Sequence, residues 1–212
     1  FSIYEFNDAT PVTIQKRRKA RQAFKKAVSR GPTSTQLEFV DERERLVDVL
    51  AFCLMPNHIH LLLKQVEDGG VQKFMVKIGS GFGGYFNRKY QRKGYVFQNR
   101  FQAVHVKDDR QLLVAANYIH ANPISLIEPK FKEMGIRSHS PEQVMEFLKT
   151  GHRWSSFPDY AGLKNFPSVT ERSFITEMMD GQVGPENNLM DWILRKKELG
   201  EYEKILQKME IG

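Results

Sequence analysis

The stretch CLMPNHIHLLL at residues 53–63 decides the architecture that this sequence predicts. It places His58 and His60 two positions apart in an apolar run that follows a Pro-Asn turn. Neighbouring side chains of a strand point to opposite faces, so both imidazoles lie on one face of the predicted strand. Imidazole is a common metal ligand, and we interpret the pair as half of a metal site. Histidine pairs also occur as structural residues in cores, so the interpretation depends on what else the chain supplies.

Apolar runs on both sides of the turn predict a β-hairpin. Elsewhere, runs of β-forming residues predict strands, and apolar residues at helical spacing predict helices. The predicted strands are residues 1–7, 46–55, 58–66 and 95–106, and the predicted helices are residues 15–30, 71–93 and 110–122. The order β-α-β-β-α-β-α is typical of an α+β, ferredoxin-like (RRM-like) fold. That fold has a split βαβ antiparallel sheet, here with one added helix and a helical C-terminal extension.

Composition divides the chain into three predicted segments. Residues 1–125 form the predicted catalytic domain, and residues 126–167 are an extension with a short helix at 141–149 and an aromatic-rich turn region. Residues 168–212 hold nine acids and six bases, and we expect an acidic tail with helices near 171–179 and 188–209. The remaining chain is strongly basic, because the whole protein carries a formal charge of +7.

The overall charge and the cysteine count narrow the class of protein. A pI of about 9.4 favours an anionic partner, of which nucleic acid is the commonest. Cys53 is the single cysteine, which excludes an intrachain disulfide and a cysteine-based zinc cluster. The sequence shows no apolar run that could span a bilayer and no signal-peptide pattern, so we expect a cytoplasmic, nucleoid-associated protein without a membrane partner.

The helix at 110–122 offers the second half of a metal site. Tyr118 and Asn122 are four residues apart and therefore lie on one helix face. With His58 and His60, the Asn122 carboxamide would complete an N,N,O set that suits Mg²⁺ or Mn²⁺. Tyr118 could then attack a phosphate held there. Without the histidines, a core tyrosine and a C-terminal capping asparagine would be the favoured interpretation of this helix.

Cations and aromatic rings alternate in the region that precedes this helix. Rings can stack on unpaired bases while Lys and Arg neutralise phosphates, so we predict a DNA-binding surface. A solvated basic face with core aromatics is the simpler alternative. The predicted DNA-binding residues of this region are Tyr85, Arg88, Lys89, Tyr90, Arg92, Lys93 and Arg100, and the basic helix predicted at 15–30 adds Arg17 and Arg18.

Several blocks resemble one protein family. The stretches LMPNHIHLL at 54–62 and YIHANPI at 118–124 resemble the signatures of single-tyrosine HUH transposases. The blocks YFNR at 85–88, FQNRF at 97–101 and WSS at 154–156 resemble further blocks of that family, in the same order. The most similar subgroup is the REP-associated tyrosine transposases, relatives of insertion-sequence enzymes. Asn99 departs from the pattern, since glycine is usual there, and the tail after residue 167 is not covered.

The resemblance implies an endonuclease and strand transferase that cuts and rejoins single-stranded DNA through a 5′-phosphotyrosine intermediate. Tyr118 would be the nucleophile, and His58, His60 and Asn122 would hold Mg²⁺ or Mn²⁺. The implied partner is a single strand with a hairpin, of the REP or transposon-end kind, bound by a monomer or a homodimer. Open alternatives are an HUH replication-initiator or relaxase-type nickase, an inactive nucleic-acid-binding module on the same fold, and a metallohydrolase.

Overall fold

The structure is a computed structural model that describes residues 2–11, 43–179 and 184–195. It has mixed α/β architecture with a two-stranded antiparallel sheet, β1–β2, among the described residues. The described elements are α1 Ser2–Phe6, β1 Val47–Leu54, β2 Ile59–Gln65, α2 Gly70–Lys89, α3 Asp109–Ala121, a 3₁₀ turn Asn122–Leu126, α4 Phe131–Met134, α5 Pro141–Glu146, a π turn Phe147–Gly151, α6 Phe157–Tyr160, α7 Ser173–Met179 and α8 Pro185–Arg195. None of the described helices is long and apolar enough to cross a membrane.

The chain divides into two compact units. The first comprises Phe1–Val47 and Gln65–Gln98, and the second comprises Asp48–Lys64 and Asn99–Gly212. The division into segments 1–125, 126–167 and 168–212 stays a prediction. The predicted helix at 15–30 and the far end of the predicted helix at 188–209 lie outside the described residues.

The predicted hairpin is confirmed. Met55 N–H donates to the His58 carbonyl at 2.9 Å across the Pro-Asn turn. Most of β1 is buried, whereas β2 is largely half-buried or exposed. The continuous apolar run of β1 therefore reflects burial on both faces.

Two predicted strands are wrong. Residues 2–6 form helix α1, in which Ile3 is buried. Residues 95–106 contain no strand, and most of them are exposed. β-forming side chains produce a strand only where a partner strand and a buried face are available. The four-stranded ferredoxin-like sheet is accordingly not confirmed, because the described residues contain two strands.

A buried asparagine organises the first unit. The Asn7 side chain accepts hydrogen bonds from the N–H groups of Leu46 and Val47, each at 3.0 Å, and donates to the Val47 carbonyl at 2.6 Å. It thus completes the backbone hydrogen bonds where the chain enters β1. Helix α1 packs against α2 at Gly81, where the Phe6 ring occupies the space that a Cβ would need.

The second unit has one continuous core built around β1, β2 and α3. Its buried members include Leu50, Ala51, Cys53, Leu62, Leu112, Ala115, Ala116, Ile119, Ile124, Phe131, Val144, Leu148, Phe157, Ile175, Leu189 and Ile193. Residues 154–156 run antiparallel to β1, with a bridge between Cys53 and Ser155. The Tyr160 hydroxyl donates to the Leu50 carbonyl at 2.7 Å. The WSS block therefore occupies the second edge of β1.

Helix α3 begins and ends where its sequence predicts. Asp108 caps its N-terminus by accepting from Gln111 N–H at 2.8 Å. The α-helical hydrogen bonds stop at Ala121, because Pro123 has no N–H to donate, although Asn122 before it keeps helical dihedral angles of φ −53° and ψ −39°. The chain continues as a 3₁₀ turn that starts at Asn122.

We predict opposite effects of alanine at two glycines of α2. A Cβ on Gly70 would lie 2.2 Å from the Leu46 carbonyl oxygen, so Gly70→Ala should lower the free energy of unfolding by ~1–3 kcal/mol. A Cβ on Gly79 meets no described atom within 4 Å, so Gly79→Ala should raise it by ~1 kcal/mol. Urea denaturation of both variants measures the difference. A Gly70→Ala protein as stable as the parent would contradict the observed backbone contact.

Candidate functional site

His58 and His60 lie side by side at the start of β2. Their ring centroids are 4.7 Å apart, and the rings are close to perpendicular. His58 Nδ1 lies 2.7 Å from Asn57 Oδ1, an oxygen that only accepts, so this nitrogen carries the proton. The other ring nitrogen of His58, Nε2, therefore keeps its lone pair. In metal-binding histidines, the ring nitrogen that does not bind the metal commonly donates a hydrogen bond of this kind, which orients the ring.

Helix α3 brings Tyr118 to the same place. The ring centroids of His60 and Tyr118 are 5.5 Å apart, with the rings at 83°. Asn122 follows one helical turn later, and its Nδ2 donates to the Tyr118 carbonyl at 2.9 Å. That bond is made by one of the two N–H groups on Nδ2, and Oδ1 is the acceptor of the carboxamide. The two halves of the predicted site therefore meet within one chain.

Both histidines are neutral at physiological pH. Burial, which contributes most, and the charges of His58 and Lys132 together lower the pKa of His60 to about 4, and the Asn122 side chain acts in the opposite direction. Burial and then the Lys132 charge also lower the pKa of His58. A neutral imidazole is the form that binds a metal ion.

The His60 Nε2 atom marks a place that a cation would fit. It is buried and has no hydrogen-bond partner of normal geometry among the described residues, although Asn122 is near enough to influence the His60 pKa. Buried polar atoms nearly always have a partner. The described ranges contain no group of three or more His, Cys, Asp or Glu that could hold a metal. A site here would therefore use the two imidazoles and the Asn122 carboxamide.

Tyr118 is enclosed by residues that the sequence did not reveal. Its side chain is only 3 % exposed, and it lines a small pocket together with Asn122, Lys132 and Trp192. Lys132 Nζ lies 5.8 Å from the centre of the Tyr118 ring. Lys132 lies in the short helix α4 and Trp192 belongs to α8, and neither stands in a motif. Only the fold brings them to the tyrosine.

His120 belongs to the same helix but not to the same site. Its Nε2 lies 2.9 Å from the buried Ser156 hydroxyl, and its ring packs against Phe157 and Tyr160. Burial lowers the pKa of His120 to about 3, so the ring is neutral in the folded protein. This environment agrees with a structural role.

The predicted DNA-binding residues fall into three groups. The C-terminal end of α2 and the turn after it carry the exposed Tyr85, Arg88, Lys89, Tyr90, Arg92 and Lys93. Arg100 is exposed in the second unit, and Arg17 and Arg18 lie outside the described residues. Within the first group, Lys89 Nζ is 5.1 Å from the centre of the Tyr90 ring. Their role in DNA binding stays a prediction.

The chain is basic, and its histidine-bearing hairpin lies beside its tyrosine-bearing helix. These features agree with the family that its sequence blocks resemble. A family model described as IS200-like transposases matches residues 12–122. The match covers more than half of the 212 residues, and the chain belongs to this family. Membership indicates transposase activity, which implies a DNA-cleaving enzyme with DNA as its partner. No curated protein and no solved structure significantly matches the chain.

The buried His120 makes stability depend on pH. The unfolded chain takes up this proton near pH 6.5 and the folded protein only near pH 3, so the unfolded state binds more protons between those values. The stabilisation that comes from keeping His120 neutral in the folded protein is complete above pH 6.5 and is lost as the pH falls toward 3. We predict that the free energy of unfolding of His120→Gln, from urea denaturation between pH 7.5 and 4.5, falls less steeply than that of the parent. The exposed His105→Gln is the matched control, and equal slopes for His120→Gln and parent would contradict the prediction.

Proposed function

We propose that this protein is a metal-dependent endonuclease and strand transferase that cuts and rejoins single-stranded DNA through one tyrosine. The observation that carries the proposal is the contact between the rings of His60 and Tyr118, with His58 and Asn122 beside them. In the proposed roles, this contact would put the covalent nucleophile next to neutral metal ligands. Because all four residues come from one chain, the proposal does not require a second protomer.

His58, His60 and Asn122 would hold Mg²⁺ or Mn²⁺. The lone pair of His58 Nε2, the buried His60 Nε2 atom without a hydrogen-bond partner among the described residues, and the Asn122 Oδ1 atom support this assignment. Oxygen and imidazole ligands suit both ions, and Mg²⁺ retains several waters, which leaves room for substrate oxygens. A bound divalent cation would supply positive charge against the oxygens of the scissile phosphate.

Tyr118 would carry out the covalent step. Its phenol oxygen attacks the phosphorus and loses its proton, and the bond between phosphorus and the 3′ oxygen breaks. The products are a 5′-phosphotyrosine and a strand with a free 3′-OH. Attack by a 3′-OH on the phosphotyrosine rejoins strands and restores the phenol. Each step exchanges one phosphodiester for another, so the reaction needs no external energy source.

The surroundings of Tyr118 determine when it reacts. The Lys132 cation near its ring would stabilise a phenolate. The tyrosine is nevertheless buried, with Trp192 and Lys132 in the wall of its pocket. A DNA strand therefore reaches the hydroxyl only after these side chains move aside. Substrate binding is the simplest source of the energy for that movement.

The proposed substrate is a single strand with a hairpin, of the REP or transposon-end kind. The exposed rings and cations at the end of α2 support a strand with unpaired bases.

The covalent adduct tests the nucleophile. We expect a labelled, hairpin-bearing single strand with Mn²⁺ or Mg²⁺ to become attached to the protein, and Tyr118→Phe to abolish the adduct, because phenylalanine lacks the attacking oxygen. The exposed Tyr95→Phe is the control and should react like the parent. Denaturing gels detect the adduct. Absence of any adduct with a panel of hairpins and both ions, or an adduct that survives Tyr118→Phe, would rule the assignment out.

The metal-binding role of His58 and His60 is tested by measuring DNA binding and DNA cleavage separately. We expect His58→Ala and His60→Ala to reduce the cleavage rate at least ~10²-fold, because each removes a ligand, while the dissociation constant for DNA changes by less than about threefold. His105→Ala serves as the control. Mn²⁺ binding, measured by electron paramagnetic resonance of the free ion, should weaken in the same two variants. Full cleavage by His60→Ala would refute the metal assignment.

A further inference from the structure

Lys132 on helix α4 places a positive charge beside the proposed metal ligands. Its side chain lines the same pocket as Tyr118 and Asn122. Its Nζ atom lies 5.8 Å from the centre of the Tyr118 ring, and the centre of that ring lies 5.5 Å from the centre of the His60 ring. The lysine ammonium is therefore close both to the nucleophile and to residues that would hold a divalent cation.

The backbone of α4 is held in place, whereas the lysine side chain can move. Phe131, the first residue of the helix, is buried in the core, and its N–H donates to the Glu128 carbonyl at 2.9 Å. The buried Glu128 carboxylate accepts from the N–H groups of Ser138 and His139, at 2.7 and 2.9 Å. Glu128 thus joins the segments that precede and follow α4. Lys132 itself is exposed, and its flexible four-carbon stem allows the ammonium to move over a fixed base.

The charge of Lys132 acts on both imidazoles of the site. It is one of the causes that lower the pKa of His58 and the pKa of His60, in each case after burial, which is the largest cause. A positive charge that disfavours a proton on these rings also disfavours a metal cation bound to them, because both effects are the same Coulomb repulsion. The repulsion is larger for a divalent ion than for a proton at equal distance.

The proposed reaction brings an opposite charge to the same place. Tyr118 can attack only a phosphate that lies beside its hydroxyl, and Lys132 lines the pocket of that residue. A lysine ammonium forms charge-assisted hydrogen bonds with phosphate oxygens. Once the ammonium is paired in this way, its charge is offset and its repulsion of a cation at the two imidazoles decreases.

We propose that Lys132 makes the binding of the divalent cation and the binding of DNA depend on each other. It disfavours the cation while the site lacks a phosphate, and it pairs with the scissile phosphate when DNA binds. The inference rests on the proposed metal-dependent reaction and adds to it a control on when the metal is held. By thermodynamic linkage, the cation must strengthen DNA binding by the same factor by which DNA strengthens cation binding.

The test measures Mn²⁺ affinity with and without DNA. All proteins carry Tyr118→Phe, which keeps the ring and removes the attacking oxygen, so that the strand stays intact. The DNA is the hairpin-bearing single strand that binds the parent most tightly, and electron paramagnetic resonance of the free ion gives the dissociation constant of Mn²⁺. With Lys132 present, we expect the strand to strengthen Mn²⁺ binding at least ~10-fold, within the usual range of coupling between two sites.

Substitutions of Lys132 identify the source of the coupling. Lys132→Met removes the charge and keeps much of the stem, so Mn²⁺ should bind more tightly than to the lysine protein when DNA is absent. The strand should then strengthen Mn²⁺ binding less than about threefold, the remainder coming from phosphate oxygens that bind the ion directly. Lys132→Arg keeps the charge and should retain the coupling. Lys130→Met, at an exposed lysine two positions away, is the matched control and should behave like the lysine protein.

The outcomes separate this inference from the proposed covalent chemistry. Equal coupling in Lys132→Met and the lysine protein, or weaker Mn²⁺ binding by Lys132→Met without DNA, would overturn the role of Lys132 even if Tyr118 forms its adduct. Loss of coupling in Lys132→Met alone would support that role even if no strand is ever cleaved. Absence of Mn²⁺ binding in every protein, with and without DNA, would overturn both the metal assignment and this inference.

Discussion

The hydrogen bonds of Ser156 join the strand that leads into the histidine hairpin to the helix that carries the tyrosine. Ser156 Oγ accepts from Phe52 N–H at 2.9 Å and lies 2.9 Å from His120 Nε2. Both Ser156 and His120 are buried, so breaking either bond would leave a polar group without a partner. Residues two apart in a helix point roughly 200° apart. Because His120 faces Ser156, Tyr118 is turned away from it, and that side of α3 meets His60.

The parts of the site that depend on local spacing were predictable. His58 and His60 share a strand face, and Tyr118 and Asn122 share a helix face, because these relations follow from backbone geometry. The predicted strands at 1–7 and 95–106 were wrong for the opposite reason. A strand requires a partner, and no local pattern in those residues reveals that the partner is missing.

The residues that enclose Tyr118 show a second limit of sequence reasoning. The family match ends at residue 122, whereas Lys132 and Trp192, which line the pocket of the tyrosine, lie beyond it. The side chains that carry the proposed chemistry thus come from the family region, and some that control access to it come from the rest of the chain. No spacing rule connects Trp192 to Tyr118, because packing of α8 in the core is what brings it there.

The glycines of helix α2 fall into two groups that differ in their surroundings. Its buried Phe74 and Ile78 anchor it in the first unit, which allows the helix to tolerate several glycines. Gly70 and Gly81 are explained by close neighbours, the Leu46 carbonyl and the Phe6 ring. Gly79 and Gly84 have no such neighbour among the described residues. A helix that retains glycine where alanine would fit is less stable than it could be.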